Sequence, residues 1–183
     1  MEITIIIGFS PETPAEIEVF CAKFEKIVIA SGHQTVVFNL AKMHIKPCSG
    51  CWSCWVKTPG LCGTHDDAEL ILKRYLHSDL VLFFTNLPAG FISSSTKKII
   101  DKLIPHYHPY IFIKEGEMDH LPRYDRYPDL ASIFIQPENA DELDLQISDD
   151  YMRRVASQFH SNYKFTCINP KTAEEVYHEI TNS

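Results

Sequence analysis

The segment Glu2–Ile7 constrains this chain more than any other part of it. Glu2-Ile3-Thr4-Ile5-Ile6-Ile7 is an almost unbroken apolar, β-branched run ended by Gly8. A strand with one wet face alternates apolar and polar residues, whereas an unbroken run needs cover on both faces, the condition of a central strand in a parallel sheet. Such a strand needs a crossover to reach its parallel neighbour, and the sequence supplies one. Thr13-Pro14-Ala15-Glu16 joins a capping-box pair to a proline at the first helical position, and Ile17, Cys21, Phe24 and Val28 then recur at helical spacing. The pattern predicts a helix from about Pro14 to about Ala30, closed near Gly32.

The same alternation continues to the end. Further strands are expected at His33–Leu40, Leu80–Thr85, Ala131–Ile135 and Lys164–Ile168, with helices at Asp66–His77, Ser95–Leu103 (stopped by Pro105), Asp141–His160 and Thr172–Ile180. Right-handed crossovers between neighbouring parallel strands place helices on both faces of such a sheet. The expected fold class is therefore α/β: a flavodoxin-like three-layer α/β/α sandwich around a five-stranded parallel sheet of order 2-1-3-4-5. With 183 residues, one domain spanning 1–183 is expected. Two segments interrupt the alternation: 41–65, rich in cysteine, and 106–130, which carries Tyr107, Tyr110, Phe112, Tyr124 and Tyr127 among Pro109, Pro122 and Pro128. Segments too long for an ordinary connection are usually functional or interfacial.

The first residues lack the basic start and small-residue cleavage site of a secretory leader, and no apolar run approaches membrane-spanning length, so a cytoplasmic protein without a membrane partner is expected. In that compartment thiols stay reduced, and six cysteines read as free, metal-binding or redox groups before they read as disulfides. A formal charge of −7, with lysines and arginines scattered singly or in pairs, argues against nucleic acid as a partner.

Cys48-Ser-Gly-Cys51-Trp-Ser-Cys54 brings three thiols into one tight loop, and Cys62 follows after a turn containing Pro59 and Gly60. A cubane cluster takes one thiolate at each of four separated corners, so a C-x2-C-x2-C loop can serve three and a turn return the fourth. Zinc sites more often pair two C-x2-C units across a longer span. The spacing favours a [4Fe-4S] cluster over zinc, with unligated loop thiols as the remaining reading. Cys21 and Cys167 fall in a helix face and a strand, where core packing is expected. His44 and His65 flank the loop as weaker candidate ligands, and His106, His108 and His120 in the aromatic segment suggest a contact between subunits. Asp66-Asp67 and Asp149-Asp150 read as helix-start or surface acids.

The run Pro47-Cys48-Ser-Gly-Cys51-Trp-Ser-Cys54-Trp, then Lys57-Thr-Pro-Gly-Leu-Cys62 and Asp66-Asp67, resembles the compact cysteine segment of the iron-sulfur flavoproteins and related NAD(P)H-dependent FMN reductases. Gly90 with Lys97, Ile100-Asp101-Lys102, Ile104-Pro105 and His108-Pro109-Tyr110-Ile111 is similar to the segment those proteins carry after their third strand, and the likeness extends to about Leu130. The resemblance implies an oxidoreductase or electron-transfer flavoprotein with FMN at the carboxyl ends of the strands. NAD(P)H would be the hydride donor, small electron acceptors or redox proteins the partners, and the assembly a dimer or tetramer. It assigns Cys48, Cys51, Cys54 and Cys62 to the cluster and Ser10 and Thr13 to the FMN phosphate. Leu87, Pro88, Ala89, Gly90, Phe91 and Ile92 become the ring-side loop, with Gln136 as a further flavin contact. The loops differ from the family pattern at Glu12, at Asn86-Leu87-Pro88-Ala89-Gly90 and at Gln136-Pro137-Glu138. A flavin-free, flavodoxin-like module for metal binding or protein interaction is the alternative.

Overall fold

The computed structural model describes residues 1–9, 15–114, 116–136 and 141–182. In chain order the elements are β1 (Glu2–Ile7), α1 (Ala15–Ala30), β2 (Gln34–Asn39), α2 (Ser53–Val56), α3 (Ala68–Leu76), β3 (Leu80–Asn86) and α4 (Ser94–Asp101). After these come β4 (Tyr107–Lys114), β5 (Glu117–Pro122), β6 (Asp129–Ile135), α5 (Glu142–Gln158), β7 (Tyr163–Ile168) and α6 (Ala173–Asn182).

Five strands form one sheet of order β2-β1-β3-β6-β7, and all four of its pairings are parallel. With β6 and β7 as the fourth and fifth strands, this is the expected 2-1-3-4-5 order. The period of two along β3 sorts its side chains between the layers. Leu80, Leu82 and Phe84 join Phe24 and Val28 of α1 and Val176 and Ile180 of α6 in one core. Val81 and Phe83 face the other way, into a core with Ile71 and Tyr75 of α3, Ile99 of α4 and Met152 of α5. Each large side chain buried this way contributes roughly 1.5–3 kcal/mol. The continuous apolar runs of β1 and β3 thus have apolar cover on both sides. Among the described residues no helix is long and apolar enough to cross a membrane.

Helix boundaries follow local chemistry. Asp141 caps α5 by accepting from the Asp144 N–H at 2.9 Å, and the Asp144 carboxylate accepts in return from the Asp141 N–H at 3.2 Å, a complete capping box. Ser93 caps α4 through the Thr96 N–H at 3.1 Å. Thr13 and Pro14, the expected start signals of α1, lie outside the described residues.

The 106–130 segment, which the sequence marked only as a long aromatic and proline-bearing interruption, contains regular structure. β4 and β5 form an antiparallel hairpin apart from the main sheet, with Ile111 opposite His120, Phe112 opposite Asp119 and Ile113 opposite Met118. Gly116 beside the turn takes φ +85, a conformation suited to glycine. Arg123 holds the hairpin to the body, donating from Nε to the Pro105 carbonyl at 3.0 Å. Asp149 is also no simple surface acid. It accepts from Arg153 Nε at 2.7 Å and from the Thr166 hydroxyl, tying α5 to β7.

Candidate functional site

The cysteine segment leaves β2 through a 3-10 turn at Leu40–Lys42, and it returns to α3 at Asp66 and Asp67. These two carboxylates pinch its base. The His44 N–H donates to Asp67 Oδ2 at 2.6 Å and the Lys46 N–H to Asp66 Oδ2 at 2.9 Å. Asp66 also accepts from the Ala68 N–H at 3.0 Å and from Lys102 Nζ at 2.5 Å. Burial by itself would raise the Asp66 carboxyl, but the Lys102 ammonium and the Lys46 and Ala68 amides outweigh it and hold the pKa below the usual carboxylate value. Asp66 and Asp67 do stand at the start of α3, where Asp67 is the N-cap, but they are more than surface acids: they also fasten the loop.

Within this clamp the chain makes the short helix α2. Trp52, just before it, adopts φ +59, an uncommon conformation for a bulky residue. Its ring stacks on Trp55 at 4.7 Å, and Trp55 Nε1 donates to the Tyr107 carbonyl at 3.1 Å, so the loop is anchored to the foot of the hairpin. Around this scaffold Cys48, Cys51, Cys54 and Cys62 line one cavity of about 50 Å³, together with Asp101 and Lys102. All four are free thiols.

The four thiols differ in their surroundings. Burial, then the neighbouring Cys62, Cys48 and Cys51, raise the Cys54 pKa. Hydrogen bonds from Ser53 and Ser49 lower that of exposed Cys51 to about 7. Among the described residues no three His, Cys, Asp or Glu side chains converge as a single-ion site. Tetrahedral zinc would need all four sulfurs about 2.3 Å from one point. Neither His44 nor His65 lines this cavity, and His65 instead pairs with Glu69 at 2.6 Å. Cys21 is buried against the sheet, which pushes its thiol up to about 12, and Cys167 packs beside the same core.

The carboxyl ends of the strands form a second region. Ser10 and Thr13 lie outside the described residues. Gly8 sits so close to α4 that an added Cβ would fall 2.1 Å from Thr96 Oγ1, and the Gly8 carbonyl accepts from the hydroxyls of Ser93 and Thr96. Of the six residues assigned to the ring-side loop, Leu87 and Ile92 are buried in the core, Pro88 and Ala89 are exposed, and Gly90 and Phe91 are half-buried. The Phe91 ring meets Tyr151 edge-on at 4.9 Å. Gly90 takes φ +71 against Asp144, whose Oδ1 lies 2.2 Å from the place of an added Cβ. The half-buried Gln136 donates its N–H to Asn169 Oδ1 at 2.8 Å, while the Asn169 N–H reaches the Phe134 carbonyl at 2.9 Å. Asn169 thereby clasps the ends of β6 and β7, and the exposed Pro88–Ala89 step is the accessible part of the loop.

Sequence reasoning passed over Lys102, Asp144 and Asn169 as site residues. Lys102 did leave a signal, since it falls three residues after buried Ile99, on the inward face of α4. Asp144 is marked locally only as the capping-box partner of Asp141, and nothing local marks Asn169, because Gly90 and Gln136 reach them from other elements.

No protein-family model matches the chain, and no curated protein matches it. Solved structures do. An azoreductase from Bacillus anthracis superposes with a TM-score of 0.61 at 14% identity, covering 100% of this chain and 94% of that one. The fold is flavodoxin-like. An NAD(P)H:quinone oxidoreductase from Methanothermobacter marburgensis gives a TM-score of 0.61 at 11% identity, covering 100% and 92% of the two chains. An NADH:FMN oxidoreductase in its apo form gives 0.59 at 11%, covering 99% and 87%.

Proposed function

We propose that this protein is an FMN-dependent, NAD(P)H-linked oxidoreductase of the iron-sulfur flavoprotein type. The observation that carries the reading is the single cavity lined by Cys48, Cys51, Cys54 and Cys62 on a flavodoxin-like frame. Structures of the same fold include proteins named as an azoreductase, an NAD(P)H:quinone oxidoreductase and an NADH:FMN oxidoreductase, which supports the flavin half of the proposal.

When bound, FMN supplies hydride acceptance from a nicotinamide with release of single electrons, and a cluster supplies one-electron transfer. The chain's own part is placement. Asp66 and Asp67 hold the cysteine loop closed at its base, and Lys102, paired with Asp66, stands at the cavity wall. Trp55 fixes the loop to the hairpin. Pro88 and Ala89 offer an exposed edge to a ring, with Gly90 keeping the loop tight against α5. On this reading the chain works as a single domain in a cytoplasmic homo-oligomer. The exposed Ile113 and Met118 of the hairpin offer a surface for a second copy.

The test is anaerobic purification of the full chain, followed by absorbance, iron and sulfide quantification and thermal melting with and without FMN. Flavin bands, iron and sulfide in near-equal amounts, a rise in melting temperature with FMN and oxidation of NAD(P)H are expected. Colourless protein without iron, unmoved by FMN, would leave the flavin-free module as the better description.

A further inference from the structure

Ser53 stands at the junction of the two arms of the cysteine loop. It lies between Cys51 and Cys54 at the start of α2, and its carbonyl accepts the N–H groups of Lys57 at 2.9 Å and Thr58 at 2.8 Å. The chain then folds back on itself. The Gly60 N–H donates to the Cys54 carbonyl at 3.0 Å, and the Thr58 hydroxyl donates to the Leu61 carbonyl at 3.0 Å. This turn returns Cys62 and Gly63 to the cavity that Cys48, Cys51 and Cys54 line. Cys51 Sγ donates to Ser53 Oγ at 3.4 Å, and the Thr64 N–H reaches Cys62 Sγ at 3.5 Å, so one hydrogen bond orients a thiol on each arm.

The arms touch where Gly63 meets Ser53. A Cβ added to Gly63 would fall 2.8 Å from Ser53 Cβ and 3.1 Å from Ser53 Oγ. Carbon atoms in favourable contact stand about 3.5–4.0 Å apart, so no side chain fits at 63 unless one arm moves off the other. Backbone conformation makes no such demand: Gly60 takes φ +85, but Gly63 lies outside the left-handed region. Glycine is required at 63 by close approach alone. The obstacle is also stiff, because Ser53 Cβ is fixed to backbone that Lys57 and Thr58 hold in place.

We propose that the Ser53–Gly63 contact positions the fourth thiol: it sets how closely Cys62 approaches Cys48, Cys51 and Cys54. Ser53 and Gly63 are thus positioning residues, acting through the cysteines that flank them. Residues that orient ligands govern how well a metal group is held, and a cluster needs its thiolates at fixed corners. That consequence rests on the reading of the four cysteines as cluster ligands; the closure of the two arms does not.

The experiment treats the full chain, stripped of metal by a chelator and reduced, with dibromobimane, a short reagent that joins two neighbouring thiols. Mass spectrometry maps the joined cysteines, and iron and sulfide are measured on the same variants after anaerobic purification. In wild type, Cys62 is expected to be joined to a cysteine of the 48–54 arm. Gly63→Ala should lower that yield about fivefold, since one methyl added to filled space drives the arms apart. Adding Ser53→Gly to Gly63→Ala transfers the missing Cβ across the contact and should restore the yield to within about twofold of wild type. Ser53→Ala keeps Cβ and should leave the yield unchanged. Rescue separates positioning from general damage to the fold, which the loss of a second side chain would not repair. Absence of a Cys62 cross-link in wild type, an undiminished yield in Gly63→Ala, or failure of Ser53→Gly to restore it overturns the proposal. A Gly63→Ala chain that does not fold supports the proposal if Ser53→Gly restores both fold and cross-link, and overturns it otherwise. The cluster reading fails separately: a wild type that joins Cys62 but takes up no iron and sulfide refutes the cluster and leaves the positioning in place.

Discussion

Lys102 Nζ lies 2.5 Å from Asp66 Oδ2, with the two side chains 1% and 0% exposed, and this buried pair joins α4 to the base of the cysteine loop. Breaking a buried pair from one side leaves an uncompensated charge. Lys102→Met is expected to cost about 3–5 kcal/mol, read as a lower urea midpoint at unchanged slope. Lys102→Met with Asp66→Asn should recover part of that loss, because no bare carboxylate remains. A cost for the single variant below about 1 kcal/mol would mean that the pair behaves like a surface bridge.

His106 sets the pH dependence above the carboxylate range. Its folded pKa of about 4 lies below the ordinary histidine value of 6.5, so the unfolded chain binds the extra proton between those values. The stability in question is complete above pH 6.5 and is lost as pH falls toward 4, by about 3 kcal/mol in total. Asp66, held below its usual pKa, adds a second loss at lower pH, as its carboxylate takes up a proton. Denaturant midpoints between pH 4 and pH 7.5 should rise with pH in wild type and rise less steeply in His106→Phe. Parallel profiles would remove His106 as the source.

Gly90 answers two constraints together, φ +71 and the Asp144 carboxylate 2.2 Å from the place of an added Cβ. Gly90→Ala is expected to destabilise by roughly 1–3 kcal/mol from overpacking and backbone strain. On an Asp144→Ala background the cost should shrink to about 1 kcal/mol, the share due to backbone conformation. Additive effects in this double-mutant cycle would show that the two residues do not touch.

The cysteines should divide into two groups. Serine at Cys48, Cys51, Cys54 or Cys62 is expected to reduce iron and sulfide in anaerobically purified protein by more than half. Alanine at Cys21 or Cys167 should leave both unchanged, since those thiols pack beside the α1–α6 core. Alanine at Cys21 should instead lower the melting temperature by a few degrees through a lost core contact. Equal iron loss from both groups would dissolve the assignment.

The main sheet was legible because parallel strands buried on both faces write a continuous apolar run, as Glu2–Ile7 and Leu80–Asn86 do, and because each intervening helix repeats its apolar residues at helical spacing. The hairpin was not. Prolines, histidines and acids interrupt Tyr107–Lys114 and Glu117–Pro122, and a hairpin resting on only part of one face needs no regular alternation. For the segment 87–92 the sequence did not show orientation: Leu87 and Ile92 turn inward, and Pro88 and Ala89 remain outside.

By itself the sequence determined the layered α/β frame and the clustering of four cysteines in one loop, both consequences of local periodicity and spacing, while the strand order was expected from the fold type and is observed. Tertiary structure alone decided that those cysteines surround one cavity, that Asp66 meets Lys102 from 36 residues away, and that His106 Nδ1 is buried without a hydrogen-bond partner. The reason is physical. Periodicity reports which face of an element is buried, but the partner of a buried charge or an orphaned ring nitrogen comes from another element, and only packing brings the two together.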